Sequence, residues 1–223
     1  MTIKKRAMQD GQKAERRDII LSKAAKLIAK KDFHAITVAE IAKEAGIAKG
    51  TVFLYFKTKE EIFLQLQSVY YELWFSDIDS RLEELLAAKR ECGISEFAEL
   101  TISTLRKQPL LFRLIPILHV IIEQNIDREK AVEFKKLLHS KLLNTSKLVE
   151  KCLPFLKKGE GVFLLLNVQS LIIGTINLTE TAPSIKKLMK DRGMEMFVME
   201  FNDVFKESLT KLITGMKYAH LEK

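Results

Sequence analysis

Cysteine, proline and glycine are all scarce in this chain of 223 residues, with counts of 2, 4 and 9. The two cysteines, Cys92 and Cys152, cannot form a disulfide framework, and neither sits in a CxxC or Cys/His metal-binding pattern. Few prolines and glycines argue against a turn-rich β-sandwich, whereas abundant Leu, Ile, Lys and Glu favour helices. Because 47% of the residues are hydrophobic, a wholly disordered chain is excluded.

Recognisable catalytic and metal-binding patterns are missing as well. The four histidines, at positions 34, 119, 139 and 220, are scattered and make no ligand cluster. There is no GxGxxG, P-loop or GxSxG motif. The sequence therefore predicts no catalytic residue, no metal and no cofactor. A small helical enzyme is the alternative, and a turnover screen would test it.

No segment has the pattern of a membrane span or a signal peptide. The first ten residues are charged and lack an apolar core. Residues 110–122 and 162–178 are apolar, but they are shorter than a span of about 20 residues and contain polar side chains. We interpret both as buried helices and expect a cytoplasmic protein with no membrane partner.

Positive charge is concentrated near the N-terminus. Residues 1–60 contain 14 Lys or Arg and 7 Asp or Glu, whereas residues 61–223 contain 23 and 22. A basic block on a nearly neutral chain indicates a polyanionic partner, either nucleic acid or an anionic membrane surface. The membrane alternative would require an amphipathic helix with aromatics opposite lysines, whereas this region divides into three short helices.

Hydrophobic periodicity predicts an all-α protein with two domains. We expect a flexible basic arm at 1–13, a three-helix domain at 14–63 and a larger helical domain at 64–223. Two Thr-x-x-Glu capping boxes, beginning at Thr37 and Thr58, open a short helix and a long one, and Gly46 ends the short one. Further helices are expected at 94–105, 130–153, 159–177, 183–190 and 194–217, and Pro116 should break the segment that contains it.

The first sixty residues predict a helix-turn-helix unit whose second helix begins at Lys49 and ends near Phe56. In such units this helix enters the major groove of DNA. Lys49 and Thr51 can reach phosphate or bases, and Gly50 allows close approach of the backbone. Val52 and Phe56 should point inward, which leaves Phe53 and Tyr55 outward. Lys57 precedes the next helix and Lys59 lies at its start, and the N-terminus of that helix can also bind a phosphate. The alternative for these lysines is a solvated helix face.

The run from Phe33 to Phe63, FHAITVAEIAKEAGIAKGTVFLYFKTKEEIF, resembles the DNA-binding signature of TetR-family transcriptional regulators, and the resemblance covers about residues 14–64. It implies a repressor that binds a palindromic operator in double-stranded DNA as a homodimer and is released by a small-molecule effector. Carried over by position, the DNA-contacting residues would be Thr37, Lys49, Gly50, Thr51, Phe53, Tyr55 and Lys59. The chain departs from the family at Ala48, where Ser is common, and at Phe53, where Tyr is common.

The larger domain is expected to supply dimerisation and effector binding. The segments at 159–177 and 194–217 have wide apolar surfaces, and we predict that they form the dimer interface; the alternative is that both are core helices. The family resemblance implies an effector pocket. Its candidate residues combine bulk with a polar group on helices that face inward, and the alternative for each is ordinary core: Tyr70, Trp74, Phe112, His119, Asn167, Ser170 and Asn177.

Overall fold

The computed structural model describes the backbone of residues 2–219 and the side chains of residues 11–118 and 121–219. Across the described residues there are ten α-helices and no strand, which confirms the all-α prediction. The helices are α1 (Thr2–Ile28), α2 (Val38–Ala45), α3 (Lys49–Phe53), α4 (Lys59–Ala87), α5 (Ile94–Arg106), α6 (Pro109–Leu114), α7 (Arg128–Cys152), α8 (Glu160–Thr179), α9 (Pro183–Asp191) and α10 (Phe201–Tyr218).

The chain divides into two compact units. The first contains the residues up to Tyr70 together with Arg113–Lys135, and the second contains Tyr71–Phe112 and the residues from Lys136 onward. The sequence instead assigned all of 64–223 to one domain. The difference arises because contacts with the N-terminal helices, described below, place 113–135 in the first unit.

The core of the first unit is formed by one face of α1 and the inward residues of α2, α3 and α4. Its members are buried aliphatic and aromatic side chains: Ile20, Ala24, Ile28, Ile41, Val52, Phe56, Ile62 and Phe63. Burial of each of these side chains larger than alanine contributes about 1.5–3 kcal/mol of hydrophobic stabilisation. This shared core fixes the short helix α3, which is too short to be stable alone.

Pro116 interrupts the helical segment that contains it, as predicted. The α-helix α6 ends at Leu114 and is followed by a 3₁₀ turn over Ile115–Ile117, a π turn over Leu118–Ile122 and a second 3₁₀ turn over Glu123–Asn125. Proline has no N–H to donate, so the regular i to i−4 ladder cannot continue through it.

The second unit is built around α10. Its buried stripe is Phe201, Phe205, Leu209 and Ile213, and it packs against α5 and α8. The N–H of Cys92 donates to the carbonyl of Cys152 at 3.0 Å, which joins the loop before α5 to the end of α7.

Three predicted boundaries are wrong, those of α1, α3 and α10. Helix α1 begins at Thr2, where a flexible arm over 1–13 was expected. The backbone is helical because this segment contains mainly good helix formers and no proline; the side chains of residues 2–10 lie outside the described residues. Helix α3 ends at Phe53 rather than Phe56, and the chain continues in a turn in which the N–H groups of Tyr55 and Phe56 donate to the carbonyl of Val52.

The predicted helix at 194–217 is also too long. Helix α10 begins at Phe201, and residues 195–197 form only a 3₁₀ turn. Phe197 lies four residues before Phe201 and so extends the apolar spacing, but Phe197 and Met196 are exposed. Periodicity alone cannot distinguish a buried aromatic from an exposed one at the same spacing.

Candidate nucleic-acid interface

Helix α3 presents two contrasting faces. Val52 and the following Phe56 are buried in the core, as predicted, whereas Phe53 is 45% exposed and Leu54 is 75% exposed. Tyr55 is half-buried. Large apolar side chains on a lysine-rich exposed surface indicate a surface that is covered by a partner. Leu54 was not among the predicted contacts, because helical spacing beyond Phe53 assigned it to neither face.

The turn before α3 follows the sequence prediction except for one bond of the capping box. Thr37 Oγ1 accepts a hydrogen bond from the N–H of Glu40 at 3.2 Å and so caps α2. The reciprocal bond of a capping box is replaced, because the Glu40 carboxylate forms an ion pair with Lys31 instead. Gly46 adopts a left-handed φ of 67° and ends α2. Ala48 begins α3 without a side-chain cap, as expected from the missing serine.

The N-terminal residues of α3 are open to a partner. Lys49 is exposed, and its Nζ lies 5.9 Å from the centre of the Phe53 ring. Apart from the adjacent residues and the backbone of α3 itself, no heavy atom of the described residues lies within 4 Å of the position that a Cβ on Gly50 would take. The fold itself therefore does not require glycine at this helical position. Glycine even destabilises a helix here, by about 1 kcal/mol relative to alanine.

A shallow groove of about 270 Å³ lies beside α3 and was not predicted. It is lined by Lys13, Ala14, Arg17, Leu54 and Tyr55. The Arg17 guanidinium is already engaged, since it donates to Gln65 Oε1 at 2.8 Å and lies 4.8 Å from the centre of the Phe56 ring. Lys13 is exposed and adds a cation to this surface. The signal in the sequence was the basic charge of helix α1.

The ammonium group of Lys59, which was predicted to contact DNA, already has partners within the fold. Its Nζ donates to the carbonyl oxygens of Phe33 and Ile36, each at 2.9 Å, and lies 4.1 Å from the centre of the Phe33 ring. Burial lowers its pKa. Lys59 therefore ties the start of α4 to the loop that precedes α2.

Internal hydrogen bonds also satisfy part of the start of α4. The Thr58 hydroxyl accepts from the Glu61 N–H at 3.1 Å, and the Glu61 carboxylate accepts from the Lys57 N–H at 2.7 Å. The Lys57 side chain is exposed, and its ammonium forms an ion pair with Asp127. Of the two lysines predicted at this end, only Lys57 remains directed toward solvent.

The residues predicted for the effector pocket differ in their local surroundings. Tyr70 is half-buried, and burial raises its pKa. Trp74 is buried, and its indole N–H donates to Thr104 Oγ1 at 3.2 Å, so its polar group is already satisfied. Phe112 packs edge-to-face on Phe201, with 4.6 Å between ring centres. His119 lies outside the described side chains.

The three candidates on α8 lie away from the core of the second unit. Asn167, Ser170 and Asn177 lie on the outward face of the helix, because they share it with the exposed Phe163, Leu166 and Leu178. The side chains of Asn167 and Ser170 donate to backbone carbonyls one turn earlier. These polar residues were predicted to face inward because they lie in an apolar run. The helical spacing of the side chains does not, however, tell which face of α8 packs on the core.

Gln67 is a buried polar residue that was not among the predicted site residues. It is fully buried, and neither its amide oxygen nor its amide nitrogen has a hydrogen-bond partner among the described residues. The sequence feature that could have identified Gln67 is its position four residues after Phe63, within the apolar stripe of α4. An unpaired buried polar group costs about 1–3 kcal/mol, so Gln67 marks a position where a ligand group can supply the missing bonds.

The length and hydropathy of α8 are those of a membrane span, with a mean hydropathy of 1.7. A single helix of this kind is weak evidence, because a helix in the core or interface of a protein passes the same test. Leu164, Leu165, Val168 and Ile172 are buried within the second unit.

Two family models together match nearly the whole chain. The model for bacterial regulatory proteins of the tetR family matches residues 20–66, and the model for the tetracyclin repressor-like C-terminal domain matches residues 68–220. These matches confirm the resemblance found in the sequence.

Individual relatives agree with the family models. A fatty acid metabolism regulator protein of Bacillus subtilis is 33% identical over 75 residues, which are 34% of this chain and 39% of that protein. The chain matches only 22–39% of the length of this and two further curated relatives.

Solved structures share the fold over most of both chains. The fatty acid degradation regulator FadR from Bacillus halodurans superposes with a TM-score of 0.56 at 19% identity, covering 90% of this chain and 95% of that one. FadR from Bacillus subtilis, solved in complex with stearoyl-CoA, gives 0.50 at 22% identity, covering 87% and 95%.

Proposed function

The chain belongs to the TetR family of bacterial regulatory proteins, and we propose that it represses transcription by binding a palindromic operator as a homodimer until a small-molecule effector releases it. The observation that carries this proposal is the outward surface of α3 and the residue that follows it, where Lys49, Phe53 and Leu54 are exposed while Val52 is buried. The relatives reported above are regulators rather than enzymes.

DNA binding is proposed to place α3 in the major groove. Lys49 and Thr51 lie at the N-terminal end, where residues of a recognition helix reach base edges and phosphates. Phe53 and Tyr55 then cover sugar or thymine methyl groups. Thr37, Gly50, Leu54, Lys57 and Lys13 are proposed as further DNA contacts, whereas Lys59 is proposed to hold the fold.

Gly50 offers a sharp test of this proposal. A Gly50→Ala variant should be as stable as the wild type, or more stable by up to about 1 kcal/mol, because alanine is the better helix former and nothing in the described chain obstructs its methyl group. Its affinity for DNA should fall by about tenfold or more, equivalent to at least about 1.4 kcal/mol, because the methyl group blocks close approach of the backbone.

The measurement uses duplexes that the wild-type protein selects from random-sequence DNA, followed by fluorescence anisotropy and thermal melting of both proteins. Ser80→Ala, at an exposed position within α4, is the control and should bind DNA normally. Selection of no duplex by the wild type, or unchanged affinity of the Gly50 variant, would contradict the proposal.

Dimerisation is proposed to use the exposed stripe of α8. Phe163, Leu166 and Leu178 are 57%, 47% and 60% exposed, and Ser170 and Gly174 lie between them. Small residues in the middle of an apolar stripe allow two helices to approach closely. The half-exposed side of α10, which carries Val204, Leu212 and Met216, is proposed to complete the interface. A two-fold axis then gives two α3 helices for two half-sites.

The effector is proposed to be an apolar molecule with one polar group, and a long-chain acyl-CoA is the first compound to test. The support is the stearoyl-CoA complex of the Bacillus subtilis relative and the buried, unpartnered amide of Gln67. Release would follow from tighter effector binding to a conformation that does not fit the operator. Helix α4 contributes residues to both units and is the proposed element through which this shift acts. No resident cofactor is part of the proposal, and the site of action is the cytoplasm.

A further inference from the structure

Asp127 places a negative charge beside a lysine that we assign to DNA. The Lys57 ammonium, which follows α3, forms an ion pair with the Asp127 carboxylate, and the two side chains are 74% and 43% exposed. This pair lowers the pKa of Asp127 and raises the pKa of Lys57, so both groups are charged at neutral pH.

The position of Asp127 is fixed by the fold. Asp127 immediately precedes α7, and its carbonyl accepts from the N–H of Ala131 at 3.0 Å. Two residues earlier, the carbonyl of Asn125 accepts from the Thr58 hydroxyl at 3.4 Å. At the other end of this segment, Arg113 donates to the carbonyl of Ile28 at 3.2 Å. Residues 113–127 are thus attached both to the end of α1 and to the residues between α3 and α4.

We propose that Asp127 competes with DNA phosphate for Lys57 and thereby lowers the affinity of the protein for its operator. The inference rests on the proposed function. A phosphate approaching Lys57 must either displace the carboxylate, which loses the ion pair, or share the ammonium with it, which brings two negative charges together. Both routes weaken binding relative to a lysine without an internal partner.

Other charges near the pair do not replace Asp127. Glu61 and Glu129 also raise the pKa of Lys57, but less than Asp127 does. The Glu61 carboxylate already accepts from the Lys57 N–H. Lys130 lowers the pKa of Asp127, and it forms its own ion pair with Glu133. Asp127 is therefore the principal anion at the Lys57 ammonium.

An Asp127→Asn variant tests the proposal, because asparagine caps a helix about as well as aspartate and only the charge is removed. Operator affinity should rise roughly 1.5- to fivefold for each subunit, the range expected for an exposed ion pair. The slope of log affinity against log salt should steepen by up to about 0.9 for each subunit, because Lys57 then binds phosphate with full counterion release. The probe is a duplex selected by the wild-type protein.

Two controls separate this role from a general change in charge or folding. Glu84→Gln removes one charge from another exposed pair, with Arg81, and should leave affinity and salt slope near the wild-type values. In a Lys57→Ala background, Asp127→Asn should have no further effect. Unchanged or weaker binding by Asp127→Asn, an equal gain in Glu84→Gln, or a gain that persists without Lys57 would each overturn the proposal. Failure of the wild type to bind any duplex would instead overturn the proposed function.

Discussion

Replacing Lys59 with alanine separates a lysine that holds the fold from a lysine that binds DNA. In the structure the Lys59 ammonium donates to two backbone carbonyls, those of Phe33 and Ile36, and stacks on the Phe33 ring. The alanine variant leaves both carbonyls without this donor and frees the loop before α2. We therefore expect Lys59→Ala to lower the stability of the protein.

The size of the effect follows from these contacts. A hydrogen bond to a charged group contributes about 1.5–3 kcal/mol, and Lys59 makes two. Because Lys59 is only partly buried, water can replace it at the carbonyls, and the net loss should be nearer about 2 kcal/mol. For a chain of this size about 1 kcal/mol shifts the melting temperature by roughly 2–4 °C, so the melting temperature should fall by roughly 4–8 °C.

The assay is thermal melting of two variants alongside salt titrations of DNA binding. Lys49→Ala is the matched control: its exposed side chain should be removable with no loss of stability, while binding weakens and the salt slope falls by about 0.9 per subunit. Lys59→Ala should show the opposite pattern, a lower melting temperature with the salt slope retained. A Lys59→Ala protein with unchanged melting temperature and a reduced salt slope would refute the assignment and restore Lys59 as a phosphate contact.

Two further predictions concern the dimer and the effector. Phe163→Glu places a charge on the exposed stripe of α8 in both copies, so light scattering should show a monomer. The control Leu73→Glu, at another exposed apolar position, should leave the dimer intact. A dimeric Phe163→Glu protein would exclude this interface. Gln67→Leu removes two buried, unpaired polar atoms, so the melting temperature should stay constant or rise. Release of the variant from DNA by stearoyl-CoA should be lost. A lower melting temperature would show that the amide is paired within the protein.

Local features of the fold were predictable because they depend on neighbours in sequence. Thr37 and Thr58 cap their helices and Gly46 ends α2, since each effect involves residues within four positions. Helical spacing likewise placed Val52 and Phe56 in the core. The same logic placed Phe197 in a helix that does not extend to it, because spacing carries no information on burial.

Partners distant in sequence were not predictable. In the sequence, Lys57 and Lys59 are alike, since both are basic residues at the start of a helix. In the structure, Lys59 donates to carbonyls 26 and 23 residues away, whereas Lys57 pairs with a carboxylate 70 residues away. The outward stripe of α8 could not be identified for the same reason, since all of its faces are apolar in sequence. Which face is covered is decided by the packing of α8 against α10.

The most direct test of DNA recognition by α3 is a hydroxyl-radical footprint of the protein on a duplex that it selects from random-sequence DNA. We expect two protected patches related by two-fold symmetry, with major-groove positions in each patch also protected from base methylation. Both patches should disappear together in Lys49→Ala at a salt concentration where the wild type still binds. Protection without symmetry, or protection that is identical in the Lys49 variant, would contradict recognition of an operator by a pair of α3 helices.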